Sequence, residues 1–185
     1  PMARGNAARS GYSPAAKPIG AKMSLQWARL TDQPPSPAWP KPKRVRDDRA
    51  HHVVAADGKL FFGSSVDCHI YALNTATGKE LWSSATEAPV RFAPALWKSP
   101  AGKWRVLAVS DDGVLYCLDA DSGKLLWSRR GGPERRMLLG NGRMISRWPA
   151  RGGPVVKDNV VYFGAGIWPS EGIWIYALNP ADGKI

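Results

Sequence analysis

The chain has 185 residues, 44% of them hydrophobic, which is enough for one ordinary domain with a core. Its 26 basic and 15 acidic residues give a formal net charge of +11, which favours an anionic partner without choosing among the kinds of anion. No apolar run reaches the roughly 18 residues that a membrane-spanning helix needs, and the 19 Gly, 16 Pro and 9 Trp favour short strands joined by turns over a helical bundle.

Residues 1–50 are expected to form an extended N-terminal segment leading into the folded part. The run 34–42 is rich in proline, and each proline biases the residue before it away from helix. Leu25, Trp27 and Leu30 are predicted to form one apolar strand face. The sequence opens on Pro1 rather than Met, so we expect the true N-terminus and any signal peptide to lie outside it.

An internal repeat begins at His51. Its clearest part is residues 71–82, which recur as residues 116–127 and, without the final Trp, as residues 176–185. Each copy follows two short strand-like pieces, so each unit is predicted to contain four antiparallel strands, as a propeller blade does. The sequence therefore predicts an all-β fold, a partial β-propeller over residues 51–185. Its four-stranded blades are expected at about 52–91, 94–150 and 154–185, an incomplete ring.

Residues 72–82 and 117–127 share the pattern Ala-x-Asn/Asp-x-x-Thr/Ser-Gly-Lys-x-x-Trp, with Cys117 at the first position of the second copy and Asp182 at the Thr/Ser position of the third. This pattern resembles the tryptophan-docking repeat of quinoprotein propellers, whose motif is named after pyrroloquinoline quinone (PQQ). That superfamily includes PQQ-dependent alcohol and sugar dehydrogenases and a non-enzymatic propeller lipoprotein of the bacterial outer-membrane barrel-assembly machinery. The resemblance implies a structural role for the repeat residues Gly78, Lys79, Trp82, Gly123, Lys124, Trp127, Gly183 and Lys184.

In these propellers the Trp that ends one blade packs flat on the neighbouring blade, close to a glycine, and a large buried indole agrees with that role. The opening residues 1–11 are similar to the entry segment of exported bacterial members. That similarity implies a periplasmic or otherwise extracytoplasmic location.

The connections between strands point to a candidate site. In an up-and-down blade, the loops from strand two to three and from strand four to the next blade share one rim, and the Gly-Lys turns lie on the other. The second and third repeats are separated by a longer fourth-to-first connection, residues 128–153, which carries seven arginines against one acid, Glu134. The hairpin 165–172 is also long, and we expect both on the rim that holds Arg91, Asp67, Asp111 and Asp112.

Arginine grips carboxylates, sulfates and phosphates with forked hydrogen bonds, and a nearby aromatic ring can stack on sugars. The alternative is a solvated basic loop in which some arginines pair with acids of the same rim, and the sequence leaves both readings open. The candidate anion- or partner-binding residues are Arg135, Arg136, Arg143, Arg147, Arg151, Trp148 and Trp168.

Other patterns favour structural roles. Cys68 and Cys117 are expected to be unbridged, partly buried thiols. Residues 111–113 (Asp-Asp-Gly) read first as a hairpin turn, and residues 140–142 (Gly-Asn-Gly) as a tight turn or, less simply, a phosphate cradle. His51 and His52 lack further ligands at metal spacing, so the sequence predicts no metal site, and it identifies no catalytic residue.

Two functions follow from these features. The first is a non-catalytic extracytoplasmic propeller scaffold that binds a protein, an acidic polysaccharide or another anionic ligand through the Arg-rich rim; nucleic acid is not expected, because no nucleic-acid module accompanies the charge. The second is the N-terminal part of a PQQ-dependent dehydrogenase that oxidises alcohols or sugars, for which the resemblance implies PQQ and Ca²⁺. Three blades do not close a ring, so we expect marginal stability or self-association of this chain.

Overall fold

The computed structural model describes residues 24–31, 33–34, 51–140 and 142–185. The predictions made for the rest of residues 1–50, including the proline-rich run, lie outside the described residues. In chain order the strands are β1 (Val53–Ala56), β2 (Lys59–Gly63), β3 (His69–Asn74), β4 (Glu80–Ala85), β5 (Ala95–Lys98), β6 (Trp104–Val109), β7 (Val114–Asp119), β8 (Leu125–Arg130), β9 (Met137–Gly140), β10 (Arg143–Ser146), β11 (Val155–Lys157), β12 (Val160–Ala165) and β13 (Trp174–Leu178), with a short 3-10 helix, Pro169–Glu171, before β13.

Three antiparallel sheets follow one another along the chain. Blade 1 is β1-β2-β3-β4, blade 2 is β5-β6-β7-β8 and blade 3 is β11-β12-β13, so strands adjacent in sequence are adjacent in each sheet. The predicted all-β fold with four-stranded antiparallel blades is therefore confirmed in blades 1 and 2, blade 3 has three strands among the described residues, and these residues do not close a ring. A separate two-stranded sheet, β9-β10, lies between blades 2 and 3 in sequence.

The core lies between neighbouring blades. Strand residues alternate between the two faces of a sheet, so Phe61 and Ile70 share one face of blade 1 and pack in one cluster with Val106 and Leu118 of blade 2. Burying one such side chain contributes about 1.5–3 kcal/mol, so each blade depends on its neighbour. The cluster that joins blade 2 to blade 3 comprises Ala95, Trp97, Leu107, Val109, Leu115, Cys117, Ala150, Val161, Phe163, Ala165 and Leu178.

The turn after the third strand is the same in all three blades. In blade 1, Asn74 Oδ1 accepts hydrogen bonds from the backbone N–H groups of Ala76 and Thr77 at 2.9 and 3.0 Å, and Gly78 takes a φ of +69°. The same turn recurs with Asp119 and Gly123 in blade 2 and with Asn179 and Gly183 in blade 3. In each, the Asn or Asp N–H also donates to the carbonyl of the repeat lysine, namely Lys79, Lys124 or Lys184.

A tryptophan of one blade lies on the turn glycine of the next, a contact we call a Trp–Gly joint. Trp82 covers Gly123 so closely that an added Cβ would stand 2.6 Å from the indole ring. Its Nε1 donates to the carbonyl of Ala120 in the same turn at 3.1 Å. Trp127 covers Gly183 with the same 2.6 Å spacing. Each joint therefore requires glycine twice, for its positive φ and for its missing side chain.

Trp27 forms a third Trp–Gly joint ahead of blade 1. Its ring lies over Gly78, again 2.6 Å from where a Cβ would be, and its Nε1 donates to the carbonyl of Thr75 at 2.8 Å. The apolar strand face predicted for this segment does not form, because residues 24–31 adopt no strand and both Leu25 and Leu30 are exposed. Trp27 is instead positioned by the turn on which it packs.

Candidate partner-binding rim

The connection between blades 2 and 3 contains regular secondary structure. Residues 128–130, expected at its start, complete β8, and the two strands β9 and β10 form a hairpin within it. We call residues 131–154, between β8 and β11, the rim loop. Its side chains contact the hairpins between second and third strands of all three blades, at Val66, Asp111 and Glu171. These contacts lie on the side opposite the Gly-Lys turns.

Asp111 ties the rim loop to the junction of blades 1 and 2. Its buried carboxylate receives Arg91 Nε at 2.7 Å and Arg151 Nε at 3.0 Å, and both guanidinium groups are largely buried. The backbone carbonyl of Asp111 also accepts the N–H of Ser146 at 2.7 Å. Removing one partner from a buried, hydrogen-bonded charge cluster leaves uncompensated charge, which costs about 3–5 kcal/mol. Arg151, a candidate ligand-binding residue, is thus part of the brace between loop and blades.

Asp112 lies in the turn between β6 and β7 and is fully buried. Its carboxylate accepts the Tyr116 hydroxyl at 2.6 Å and the N–H groups of Val114 and Glu87 at 2.9 and 3.1 Å. Burial raises the pKa of the Asp112 carboxyl, although these hydrogen bonds act in the opposite direction. Burial, followed by the charge of Asp112, raises the pKa of Tyr116. Residues 111–113 form the hairpin turn that the sequence favoured.

Trp148 lies inside the rim rather than on its surface. The ring is buried, meets Trp174 edge-on at a centroid distance of 5.7 Å, and donates from Nε1 to the carbonyl of Glu171 at 2.5 Å. A Cβ added at Gly132 would lie 2.8 Å from this ring. Trp168, the other predicted aromatic, is exposed beside the short 3-10 helix. Of the two predicted aromatic residues, Trp148 is therefore buried and Trp168 is 52% exposed.

The predicted arginines divide into braced and exposed groups. Arg143 Nη1 donates to the carbonyl of Val66 at 2.6 Å, and Arg147 is hydrogen bonded to Glu171. By contrast, the side chains of Arg135 and Arg136 are 61% and 59% exposed. Among the braced arginines, Arg147 and Arg151 pair with buried or half-buried acids, whereas Arg143 pairs with a backbone carbonyl.

The acids beside the exposed arginines are exposed as well. Arg135 lies 3.2 Å from Glu87, and Arg136 lies 3.8 Å from Glu134. Sequence reasoning did not single out Glu87, because it belongs to the connection before blade 2 and is far from the arginines in sequence. The contact between Arg91 and Asp111 was also not predicted, because it forms only when the blades pack side by side.

The remaining candidates have structural surroundings. Cys68 and Cys117 are both free thiols, and burial raises the pKa of Cys117 to about 12, which keeps it uncharged at neutral pH. His51 packs on Phe62 at a ring-centroid distance of 5.0 Å. In the tight turn, Gly140 pairs with Arg143 across the hairpin, while Asn141 lies outside the described residues.

Neither a metal-site cluster nor a membrane-spanning helix occurs among the described residues. Within residues 24–31, 33–34, 51–140 and 142–185, no three or more His, Cys, Asp or Glu side chains cluster as a metal site would. In the same part of the chain, no helix has the length and apolar character needed to cross a membrane.

Comparison with known proteins identifies the repeat. A family model described as outer membrane protein assembly factor BamB matches residues 24–185. No curated protein matches the chain. Among solved structures, the quinohemoprotein alcohol dehydrogenase from Comamonas testosteroni is similar at 24% identity with a TM-score of 0.55, over 71% of this chain and 19% of its own. The quinohemoprotein alcohol dehydrogenase ADHIIG from Pseudomonas putida HK5 is similar at 23% identity and 0.52, over 71% and 19%.

BamB from Moraxella catarrhalis is similar at 20% identity with a TM-score of 0.46, over 71% of this chain and 41% of its own. The chain thus spans less than half the length of each of these proteins, and at such identities the solved structures show the fold alone. The family match is broader, because it includes all three repeats and Trp27. The chain belongs to the BamB-like family of PQQ-repeat β-propellers, of which it contains about three blades.

Proposed function

We propose that the chain is part of a non-catalytic, extracytoplasmic β-propeller scaffold that binds a protein partner or another anionic ligand through the rim loop. The observation that carries this proposal is the pair of exposed guanidinium groups, Arg135 and Arg136, on an insertion braced against all three blades. Binding surfaces of propellers are commonly built from elaborated loops on a rigid scaffold. The family description, an outer membrane protein assembly factor, supports an extracytoplasmic role among proteins.

The electrostatics of the exposed pair support exchange with a ligand. Ion pairs between exposed side chains contribute less than about 1 kcal/mol. The carboxylates of Glu87 and Glu134 are therefore readily replaced by acidic groups of a partner. The chain as a whole carries a formal net charge of +11, which attracts an acidic partner before contact.

The alternative is that the chain is part of a PQQ-dependent dehydrogenase that acts on alcohols or sugars. PQQ would require accessible guanidinium groups for its carboxylates, and Ca²⁺ would require oxygen ligands. The buried carboxylates of the rim do not fit as Ca²⁺ ligands. Asp111 is paired with two arginines, and Asp112 accepts hydrogen bonds from three donors. Arg151 is likewise committed to Asp111. A quinone site on this protein would need residues other than these.

Charge removal tests the rim. Arg135→Gln with Arg136→Gln should lower the salt concentration at which the chain elutes from a heparin column, because two exposed cations leave the proposed surface. The matched control, Lys157→Gln with Lys184→Gln, removes two exposed cations from the opposite rim and should change elution less. Equal shifts for the two variants would show that retention follows net charge and would contradict the proposal.

Reconstitution separates the two functions. The chain, and any longer form that contains it, should show no dye-linked oxidation of ethanol or glucose after incubation with PQQ and Ca²⁺. Substrate-dependent dye reduction that disappears without PQQ would establish the dehydrogenase and overturn the scaffold proposal.

A further inference from the structure

The β9-β10 hairpin offers one unpaired strand edge. Gly140 pairs with Arg143 and Met137 with Ser146, and the ladder continues through a bond from the N–H of Arg147 to the carbonyl of Arg136 at 2.8 Å. In an antiparallel ladder, backbone groups point alternately at the partner strand and away from it. The groups of Met137 and Leu139 therefore point away from β10.

The two edges of this hairpin differ. The outward N–H of Ser146 on β10 donates to the carbonyl of Asp111 at 2.7 Å, so blade 2 covers that edge. Ile145 of β10 is buried, and its side chain lies 2.4 Å from where a Cβ on Gly140 would stand, so the two strands pack closely within the hairpin. Among the described residues, no hydrogen bond reaches the outward groups of Met137 or Leu139. The edge of β9 is thus a short template for another strand.

An apolar pair lies beside this edge. Leu139 and Met144 stand directly opposite each other on the two strands, and they are 72% and 50% exposed. Opposed side chains of a ladder lie close enough to form one surface, so the pair makes a single apolar spot. Such a spot, next to unpaired backbone groups, suits the alternate side chains of an added strand.

Charge selects the occupant. Arg135 and Arg136 immediately precede β9, and both side chains are more than half exposed. A second copy of this chain would bring the same two arginines against them, and like charges placed together are unfavourable. An occupant with carboxylates alternating with apolar side chains would complement both the arginines and the Leu139–Met144 pair.

We propose that the free edge of β9 binds an extended segment of a partner protein in which acidic and apolar residues alternate, adding a third strand to the hairpin. This inference rests on the proposed function of the rim loop and names the mode of recognition. Main-chain hydrogen bonds to Met137 and Leu139 provide the affinity, and the apolar pair and arginines provide the selectivity.

A displayed library of random nine-residue peptides, selected on the immobilised chain, tests the mode. The enriched peptides should alternate acidic and apolar residues. A synthetic copy of the most enriched peptide should slow hydrogen exchange at the amides of Met137 and Leu139, a readout that needs no variant. An absence of enrichment, or protection at other amides, would overturn the inference.

Leu139→Pro provides the matched variant. It removes an outward N–H without touching the bonds to β10, so it should weaken peptide binding at least tenfold while the fold is kept. Leu139→Thr keeps the N–H and should lose less. If Leu139→Pro binds normally while Arg135→Gln with Arg136→Gln does not, strand addition is wrong but rim binding stands. Dimers of the chain, or flotation with phosphatidylglycerol vesicles, that Leu139→Pro abolishes would assign the edge to a different occupant.

Discussion

Gly123 meets two separate structural demands. Its φ of +71° lies in the left-handed region, and an added Cβ would stand 2.6 Å from the ring of Trp82. Gly102 shares only the first demand, since its φ is +78° and nothing lies within 4 Å of an added Cβ. The two glycines therefore separate backbone strain from the packing of the Trp–Gly joint.

Gly123→Ala should destabilise the chain more than Gly102→Ala. Both substitutions force alanine into the left-handed region, at about 1–2 kcal/mol. Only Gly123→Ala also displaces the Trp82 ring, which overpacking data place at about 1–3 kcal/mol more. Urea unfolding followed by circular dichroism measures the difference. Equal losses of unfolding free energy for the two variants would mean that the Trp82 ring moves aside at no cost in free energy.

At the scale of elements, residues 24–31 are held against blade 1 by side-chain contacts. Among the described residues, this segment pairs with no strand. Trp27 packs on Gly78 and donates to the carbonyl of Thr75, and Arg29 Nη2 reaches Glu80 of β4 at 2.7 Å. The segment therefore occupies the place that the last strand of a preceding blade would take.

Trp27→Ala should lower the free energy of unfolding by about 2–4 kcal/mol, because it removes a large ring and leaves the Thr75 carbonyl without its donor. Leu30→Ala, in the same segment but exposed, should change it by less than about 0.5 kcal/mol. Circular dichroism during urea unfolding compares them. Similar values for both would show that the segment does not stabilise blade 1.

The blades could be predicted from sequence because their signals are local: β3, β7 and β13 carry the same alternation, and each is followed by the same Asn/Asp–Gly turn. For the β9-β10 hairpin the sequence predicted the tight turn at residues 140–142 but not the strands beside it, since these are short and both faces of β9 are partly exposed. The environment of Asp111 was also not predictable, because its partners lie 20 and 40 residues away and meet it only across packed blades.

At the scale of the whole molecule, the outer face of blade 3 determines how we expect the chain to associate. Ile175 is 81% exposed, whereas its counterparts Ile70 and Leu115 are fully buried against the next blade. Tyr162, the counterpart of Phe61, is also exposed on this face. The face has the shape and chemistry of a blade-to-blade interface, and a further blade is what would complement it.

The isolated chain should therefore self-associate through blade 3. Ile175→Lys places a charge in the centre of the open face and should shift the chain toward monomer in sedimentation velocity. Ile185→Lys, a change at another exposed isoleucine outside the strands, serves as the control and should leave the distribution as it was. A monomeric chain, or a loss of association in both variants, would contradict this assignment.

The Trp–Gly joint also has a consequence for how the number of blades in such propellers can change. Blades 1 and 2 each supply one indole to the next blade, and each of the three blades supplies a glycine turn to the segment before it, so the two halves of each joint come from different parts of the chain. A tandem duplication of one unit would restore both halves at once, without compensating substitutions elsewhere. Gene-level copying of whole units is thus compatible with this architecture, whereas loss of a single indole breaks the junction between two blades.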